Sequence, residues 1–145
     1  MNYLDAIDYT VDGFSEFFDE LPLWSAPFGL LLLEHVPLRT GATYLDVGAG
    51  TGFLTLELAE RAGPTSRVIA VDPWSDAMAR LRRKVAQRGL TNVSLRVQDA
   101  AAIDLPEASV DVIVSNLGIN NFENPPAVLG HCHRLAKPGA SLLLS

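Results

Sequence analysis

The segment YLDVGAGTGFLT, residues 44–55, joins two short apolar runs through a turn that contains three glycines. The first run has the length and composition of a buried strand, and the second has the pattern of a helix. A glycine-rich turn between strand and helix lets the backbone approach a ligand closely. Dinucleotides, nucleoside phosphates and S-adenosylmethionine are all ligands that fit such a turn.

Strand and helix patterns alternate along the chain from this point. Strands are predicted at residues 42–47, 66–72, 92–99, 110–116 and 140–145, and a turn is predicted at residues 137–139. Helices are predicted at residues 52–63 and 125–136, and a further one carries the apolar stripe Trp74, Met78, Leu81 and Val85. This alternation predicts an α/β fold, with a parallel sheet that carries helices on both faces.

The segment before the first strand has a different character. Its apolar residues recur at steps of three and four, which is typical of an amphipathic helix: Leu4, Ile7, Val11, Phe14, Phe18 and Leu21. Gly13 and Ser15 predict a break into two short helices, and a further helix is expected at residues 27–36. We therefore expect an N-terminal helical lid at residues 1–40 and a cofactor-binding core at residues 41–145.

The charge and composition of the chain limit the classes of binding partner and the cellular location that we expect. The net charge is −6, and residues 1–38 contain acidic residues without any Lys or Arg, so nucleic acid is not expected as a partner. We expect the acidic side chains, and the basic face of Arg80, Lys84 and Arg88, to be solvated. One cysteine fits a reducing, cytoplasmic location, and the longest apolar run, FGLLLL, is too short to span a membrane.

Polar residues end the first four predicted strands: Asp46, Asp72, Asp99 and Asn116. The carboxyl ends of parallel strands meet at one edge of the sheet, where ligands bind in this class of fold. The sequence therefore predicts one ligand site that these four side chains share.

The spacing of the glycines separates the candidate ligands. The turn reads Gly48-x-Gly50-x-Gly52, and Phe53 occupies the third glycine position of the dinucleotide fingerprint. A phosphate-binding loop ending in Gly-Lys-Ser/Thr does not occur in the sequence. A carboxylate at Asp46 would repel a pyrophosphate and attract an ammonium group. S-adenosylmethionine fits, with its amino group near Asp46, its ribose at Asp72 and its adenine at Asp99 and the Ala100 N–H.

The ordered segments LDVGAGTG, VDPW, VQDAAAIDLP, DVIVSNLG and RLAKPGASLLLS resemble the motifs of class I S-adenosylmethionine-dependent methyltransferases. They are similar in particular to the small-molecule group of the ubiquinone and menaquinone biosynthesis methyltransferases. The resemblance implies a Rossmann-like doubly wound parallel sheet in the order 3-2-1-4-5. The resemblance implies that Asp46, Gly48, Ala49, Gly50 and Gly52 hold the methionine part of the cofactor. It further implies that Asp72 binds the ribose, Pro73 and Trp74 enclose the adenine, Asp99 and Ala100 contact the adenine edge, and Asn116 lies near the methionyl group.

The function expected is methyl transfer from S-adenosylmethionine to an O, N or C nucleophile of a small molecule by in-line displacement. Two alternatives stay open: a non-catalytic module that binds S-adenosylmethionine, and an NAD-dependent oxidoreductase. No residue is identified as a catalytic base. The HCH segment at residues 131–133 does not predict a metal site, since residues two apart on a helix point in different directions.

The chain stops within the fifth predicted strand, at Ser145. Methyltransferases of this class continue with a helix and antiparallel strands, so we expect a fragment of a longer enzyme that keeps the cofactor site and has little or no turnover. An unpaired fifth strand also predicts self-association, by edge pairing or by exchange of the C-terminal segment.

Overall fold

The structure, a computed structural model, describes residues 10–20 and 22–145, without the side chains of residues 20 and 22–24. The predicted apolar positions Leu4, Ile7 and Leu21 lie outside the described residues. The elements follow in the order α1 (Phe14–Glu20), α2 (Pro22–His35), β1 (Thr43–Val47), α3 (Phe53–Ala62), β2 (Arg67–Val71), α4 (Ser75–Gln87), β3 (Val93–Arg96), β4 (Val110–Ser115), α5 (Pro125–Leu135) and β5 (Ala136–Leu144). Short 3₁₀ turns occur at Ala100–Ala102 and Ile119–Asn121.

The described strands form a five-stranded sheet in the order β3-β2-β1-β4-β5, and every neighbouring pair is parallel. The predicted fold class and strand order are therefore confirmed. The order reverses between β1 and β4, so the chain leaves these two adjacent strands toward opposite faces of the sheet. A crevice is expected at their carboxyl ends.

The core lies on both faces of this sheet. Tyr44 of β1 points to the face covered by α2 and α3, whereas Leu45 and Val47 point to the face covered by α5. On that second face Val128, Cys132 and Leu135 are buried, as the predicted inward stripe of α5 requires. β1 is therefore buried on both faces, and its apolar residues Tyr44, Leu45 and Val47 serve both halves of the core.

Helix α2 begins earlier than predicted. Residues 27–36 were expected to form the helix because proline favours a first turn, but α2 begins at Pro22 and contains Pro27 in its interior. Pro27 lacks one N–H donor, and the helix continues because one face of its C-terminal half is buried. Leu32, Leu33 and Val36 pack into the core on the α3 face, which offsets a missing hydrogen bond.

The ends of two strands also differ from the expectation. β3 ends at Arg96, so residues 97–99 form a loop and not the last part of the strand. The predicted turn at residues 137–139 lies inside β5, where the register jumps: Ala136 pairs with Val110, but Ser141 pairs with Val112. The three extra residues leave the ladder as an irregularity, and Gly139 has φ +79° there.

The expectation that the acidic segment and the basic face of α4 are solvated was wrong for Asp19, Arg80 and Lys84, whose side chains are mostly buried, whereas Glu16 and Arg88 form ion pairs that stay exposed. Asp19 of α1 forms ion pairs with Arg80 and Lys84, and Glu16 pairs with Arg83. Arg88 pairs with Glu60 of α3. Within residues 10–20 and 22–145, no helix has both the length and the apolar character needed to cross a membrane.

Candidate functional site

The glycine turn is fixed by hydrogen bonds to the end of β2. The Val71 carbonyl accepts from Gly48 N at 2.9 Å and from Ala49 N at 3.1 Å. Gly50 has φ +52°, a left-handed conformation that favours glycine, and its N–H donates to the Asp72 carboxylate at 2.8 Å. The turn after β1 and the acid after β2 therefore form one rigid unit.

Gly52 has a packing role in this unit. It has φ +92°, and a Cβ built at this position would lie 2.1 Å from Cδ1 of Leu81. A glycine here lets the start of α3 approach α4 closely. Gly52 does not line the cavity described next, in contrast to Gly48 and Gly50.

A cavity of about 790 Å³ opens at the carboxyl ends of β1, β2 and β4. Eight of the eleven predicted site residues line it: Asp46, Gly48, Ala49, Gly50, Asp72, Pro73, Trp74 and Asn116. Its volume lies in the range typical of pockets for small molecules and cofactors. The strand-end argument thus brings these residues to one place.

Asp72 is buried, and each of its carboxylate oxygens accepts one backbone hydrogen bond. Oδ2 accepts from Gly50 N, and Oδ1 accepts from Trp74 N at 2.8 Å. Burial raises the pKa of this carboxyl, and the two backbone donors oppose that rise. Each oxygen of an ionised carboxylate can accept a further bond, so Asp72 can also accept from a vicinal diol that enters the cavity.

Asp46 is only 2% exposed and accepts a hydrogen bond from the Thr55 hydroxyl at 2.6 Å. Burial raises the pKa of its carboxyl to about 7, and the nearby Asp72 charge adds to the rise. Two acids that face one cavity repel each other when both are ionised. A cationic group placed between them would relieve that repulsion.

Asn116, another residue of the cavity wall, forms hydrogen bonds with two other parts of the chain. Its Nδ2 donates to the Ser25 carbonyl of α2 at 3.1 Å, and its Oδ1 accepts from the Ser145 hydroxyl at 2.7 Å. The next residue, Leu117, has φ +57°, which is unusual for a side chain of that size. The wall after β4 is therefore held in one defined conformation.

Asp99 and Ala100 do not line the cavity. Asp99 caps the 3₁₀ turn at Ala100–Ala102, accepting from Ala101 N at 2.8 Å, and Ala100 is buried in the core. Since β3 ends at Arg96, these residues are on the loop beyond the strand end. Their assignment to the adenine edge stays a prediction.

Further cavity-lining residues were not singled out from the sequence. They include Phe18 of α1, Phe53 at the start of α3, and Asn120, Asn121 and Phe122 after β4. The run LGINNF, which contains two asparagines, comes just after a predicted strand end, and this is a usable signal because loops at that edge carry ligand contacts. Phe18 gives no such signal, since its position fits an ordinary core stripe.

A parallel sheet in this order, with a glycine turn after the central strand and acids around a cavity at the crevice, defines a Rossmann-like domain of the cofactor-binding type. A family model described as a methyltransferase domain matches residues 38–145. The chain belongs to this methyltransferase domain family.

Curated relatives agree with this assignment. Nocamycin O-methyltransferase of Saccharothrix syringae is 34% identical over 82% of this chain and 42% of the relative. The ubiquinone/menaquinone biosynthesis C-methyltransferase UbiE of Hydrogenovibrio crunogenus is 32% identical over 77% of this chain and 44% of its own length. The chain thus spans less than half the length of these two relatives.

Solved structures share the fold. A SAM-dependent methyltransferase from Aquifex aeolicus superposes with a TM-score of 0.82 at 27% identity, covering 96% of this chain and 72% of that one. A Methanococcus maripaludis protein described as a putative S-adenosyl-L-methionine-dependent methyltransferase gives a TM-score of 0.83 at 19% identity, covering 97% of this chain and 65% of that one. The second similarity bears on the fold alone.

Proposed function

We propose that this chain is the cofactor-binding part of an S-adenosylmethionine-dependent methyltransferase that acts on a small molecule. One observation carries the proposal: Asp46 and Asp72 face a single cavity around the glycine turn. A cationic ligand with a ribose diol matches both acids, because one attracts an ammonium group and the other accepts from hydroxyls. The names of the relatives support a small-molecule acceptor.

The roles proposed for the residues rest on the resemblance and are supported by the lining of the cavity. Asp46 and the turn Gly48-Ala49-Gly50 bind the methionine part, Asp72 binds the ribose, and Pro73 with Trp74 encloses the adenine. Gly52 shapes the turn from behind, and Asn116 orients the methionyl group toward the acceptor. Asp99 and Ala100 are proposed for the adenine edge on the resemblance alone, since neither lines the cavity. The cofactor supplies the methyl group as an electrophilic sulfonium, so the residues here align the acceptor and exclude water.

Titration calorimetry tests the proposal. S-adenosylhomocysteine should bind with one-to-one stoichiometry, and NADH should give no binding heat, which separates this function from that of a nicotinamide-dependent oxidoreductase. Absence of S-adenosylhomocysteine binding would reject the proposal. A methyl-transfer assay with a small-molecule acceptor separates an enzyme from a non-catalytic S-adenosylmethionine-binding module.

The N-terminal helical segment at residues 1–40 is proposed to act as a lid, with residues 41–145 as the core. Phe18 of α1 and Ser25 of α2 support this role, because both line the cavity. Hydrogen exchange at residues 10–20 should slow when S-adenosylhomocysteine binds.

We further propose a cytoplasmic enzyme without a nucleic-acid partner, on the basis of its acidic charge and single cysteine. Homodimer formation through β5 or exchange of the C-terminal segment is proposed as well.

A further inference from the structure

Helix α1 contacts α4 through a carboxylate that uses both of its oxygens. Oδ2 of Asp19 accepts from Arg80 Nε at 2.5 Å, and Oδ1 accepts from Lys84 Nζ at 2.7 Å. Arg80 and Lys84 lie four residues apart and so share one face of α4. The Asp19 side chain is 17% exposed, so this double ion pair is shielded from solvent to a degree that most surface pairs are not.

The second acid of α1 is in a weaker position. Glu16 pairs with Arg83 at 2.8 Å and with Arg80 at 3.6 Å, but the Arg83 side chain is 58% exposed. Exposed ion pairs contribute little because water and salt screen them. Asp19 is therefore the main electrostatic contact between the two helices.

Asp19 also lies next to the glycine turn. Burial raises the pKa of its carboxyl, but hydrogen bonds from Lys84, from Arg80 and, to a smaller extent, from the Thr51 hydroxyl outweigh burial and lower the pKa overall. Asp19 is consequently ionised at neutral pH. Thr51 belongs to the turn and lines the cavity, so the carboxylate that pairs with α4 lies near the proposed cofactor loop.

The residue beside Asp19 forms part of the cavity wall. Phe18 lines the cavity, and its ring packs edge-on against Trp74 with centroids 5.7 Å apart. Phe14 lies at the same distance from Trp74 on the same helix. A helix of seven residues is not stable by itself, so contacts with the rest of the fold determine where α1 sits.

We propose that Asp19 is a positioning residue, which with Arg80 and Lys84 forms an electrostatic latch that seats α1 so that Phe18 and Trp74 enclose the adenosine end of the cavity. This inference rests on the proposed function and deepens it. The latch lets cofactor enter when α1 lifts, and it slows cofactor release when α1 is seated. Affinity for the cofactor then depends on ionic strength through a residue that does not touch it.

The latch is tested first without any ligand. Amide exchange across α1 should be about tenfold faster in Asp19→Asn than in the parent protein, because loss of a partly buried charged pair costs about 1.4 kcal/mol or more. Glu60→Gln is the matched control: it removes the exposed pair of α4 with α3, between Arg88 and Glu60 at 2.9 Å. It should leave exchange in α1 unchanged.

The second measurement is titration with S-adenosylhomocysteine at low and high salt. The parent should lose affinity as salt rises, Asp19→Asn should bind about tenfold more weakly with little salt dependence, and Asp19→Glu, which keeps the charge, should restore part of the affinity. Lys84→Gln removes one of the two ion pairs and should be intermediate. It provides the test if Asp19→Asn proves to be unfolded.

The outcomes separate this inference from the proposed function. Exchange and affinity in Asp19→Asn equal to those of the parent would overturn the latch and leave the cofactor site standing. Failure of the parent to bind S-adenosylhomocysteine would reject the cofactor, and the exchange comparison would still decide whether Asp19 seats α1.

Discussion

At the level of single residues, Asp72 has the most complete hydrogen-bond arrangement in the cavity. Replacing it with asparagine keeps one acceptor oxygen but removes the charge. We expect Asp72→Asn to weaken S-adenosylhomocysteine binding by about 1–3 kcal/mol, because hydrogen bonds to a charged acceptor are lost. Calorimetry measures the change, and a melting curve shows whether the turn still folds. Unchanged affinity would show that Asp72 does not bind the ribose.

Asp46 gives the unliganded protein a specific pH dependence. Its pKa rises from 3.8 to about 7 on folding, mainly because the carboxyl is buried. Between these values the native state holds a proton that the unfolded chain has released, so the free energy of unfolding falls as pH rises and then stays level above the native pKa. This contribution to stability is present at low pH and lost near neutrality.

Asp46→Asn should remove that dependence while keeping an acceptor for Thr55. Urea unfolding at pH 5 and pH 8 should show a loss of stability in the parent that exceeds the loss in Asp46→Asn by an amount of order 3 kcal/mol. The same variant should bind S-adenosylhomocysteine poorly. Equal pH dependence in both proteins would mean that Asp46 titrates at its ordinary value.

At the level of elements, the junction of the turn with α3 depends on Gly52. Gly52→Ala would place a Cβ against Leu81 in a left-handed conformation, and we expect it to lower the free energy of unfolding by about 2–4 kcal/mol. Gly130→Ala is the matched control. Gly130 lies inside α5 with open space around it, so alanine should stabilise the protein by about 0.5–1 kcal/mol. Urea titration of both variants compares them.

The elements that the sequence predicted well are those specified by local patterns. Buried strands, the glycine turn and α5 each have a characteristic run of residues, and the alternation of strands with helices predicts the parallel sheet, whereas the strand order was predicted from the resemblance. The position of α1 was not predictable in this way. Asp19 and Arg80 are separated by 61 positions along the chain, and neither local sequence indicates which residue its side chain pairs with.

The same limit applies to the site. Asp72 and Asn116 directly follow strands and Asp46 is the last residue but one of β1, so topology brings the three together. Asp99 was placed by the same rule, but β3 ends three residues before it, and strand ends are the least certain part of such a prediction. Phe18 reaches the cavity only because α1 packs on Trp74.

At the level of the whole molecule, β5 is the outer strand of the described sheet and exposes apolar side chains. Leu142 is 46% exposed and Leu144 is 41% exposed. An edge of this kind favours pairing with another chain, so we expect concentration-dependent self-association. Leu142→Lys should reduce it, because a charge on an edge strand opposes strand addition. Light scattering over a range of concentrations measures the mass, and a monomer throughout would contradict the expectation.

The single cysteine of the chain, Cys132, is 2% exposed beneath the sheet, and burial raises its thiol pKa to about 11. In the native protein an aromatic disulfide reagent therefore cannot reach the sulfur, and almost none of the thiol is in the reactive thiolate form. Labelling should proceed only through opening of α5 from the sheet, at a rate far below that of the denatured chain. Cys132 is thus a natural probe of local opening. The rate at which its thiol is modified reports the free energy of opening α5 from the sheet, and any ligand that stabilises this face of the sheet should lower that rate.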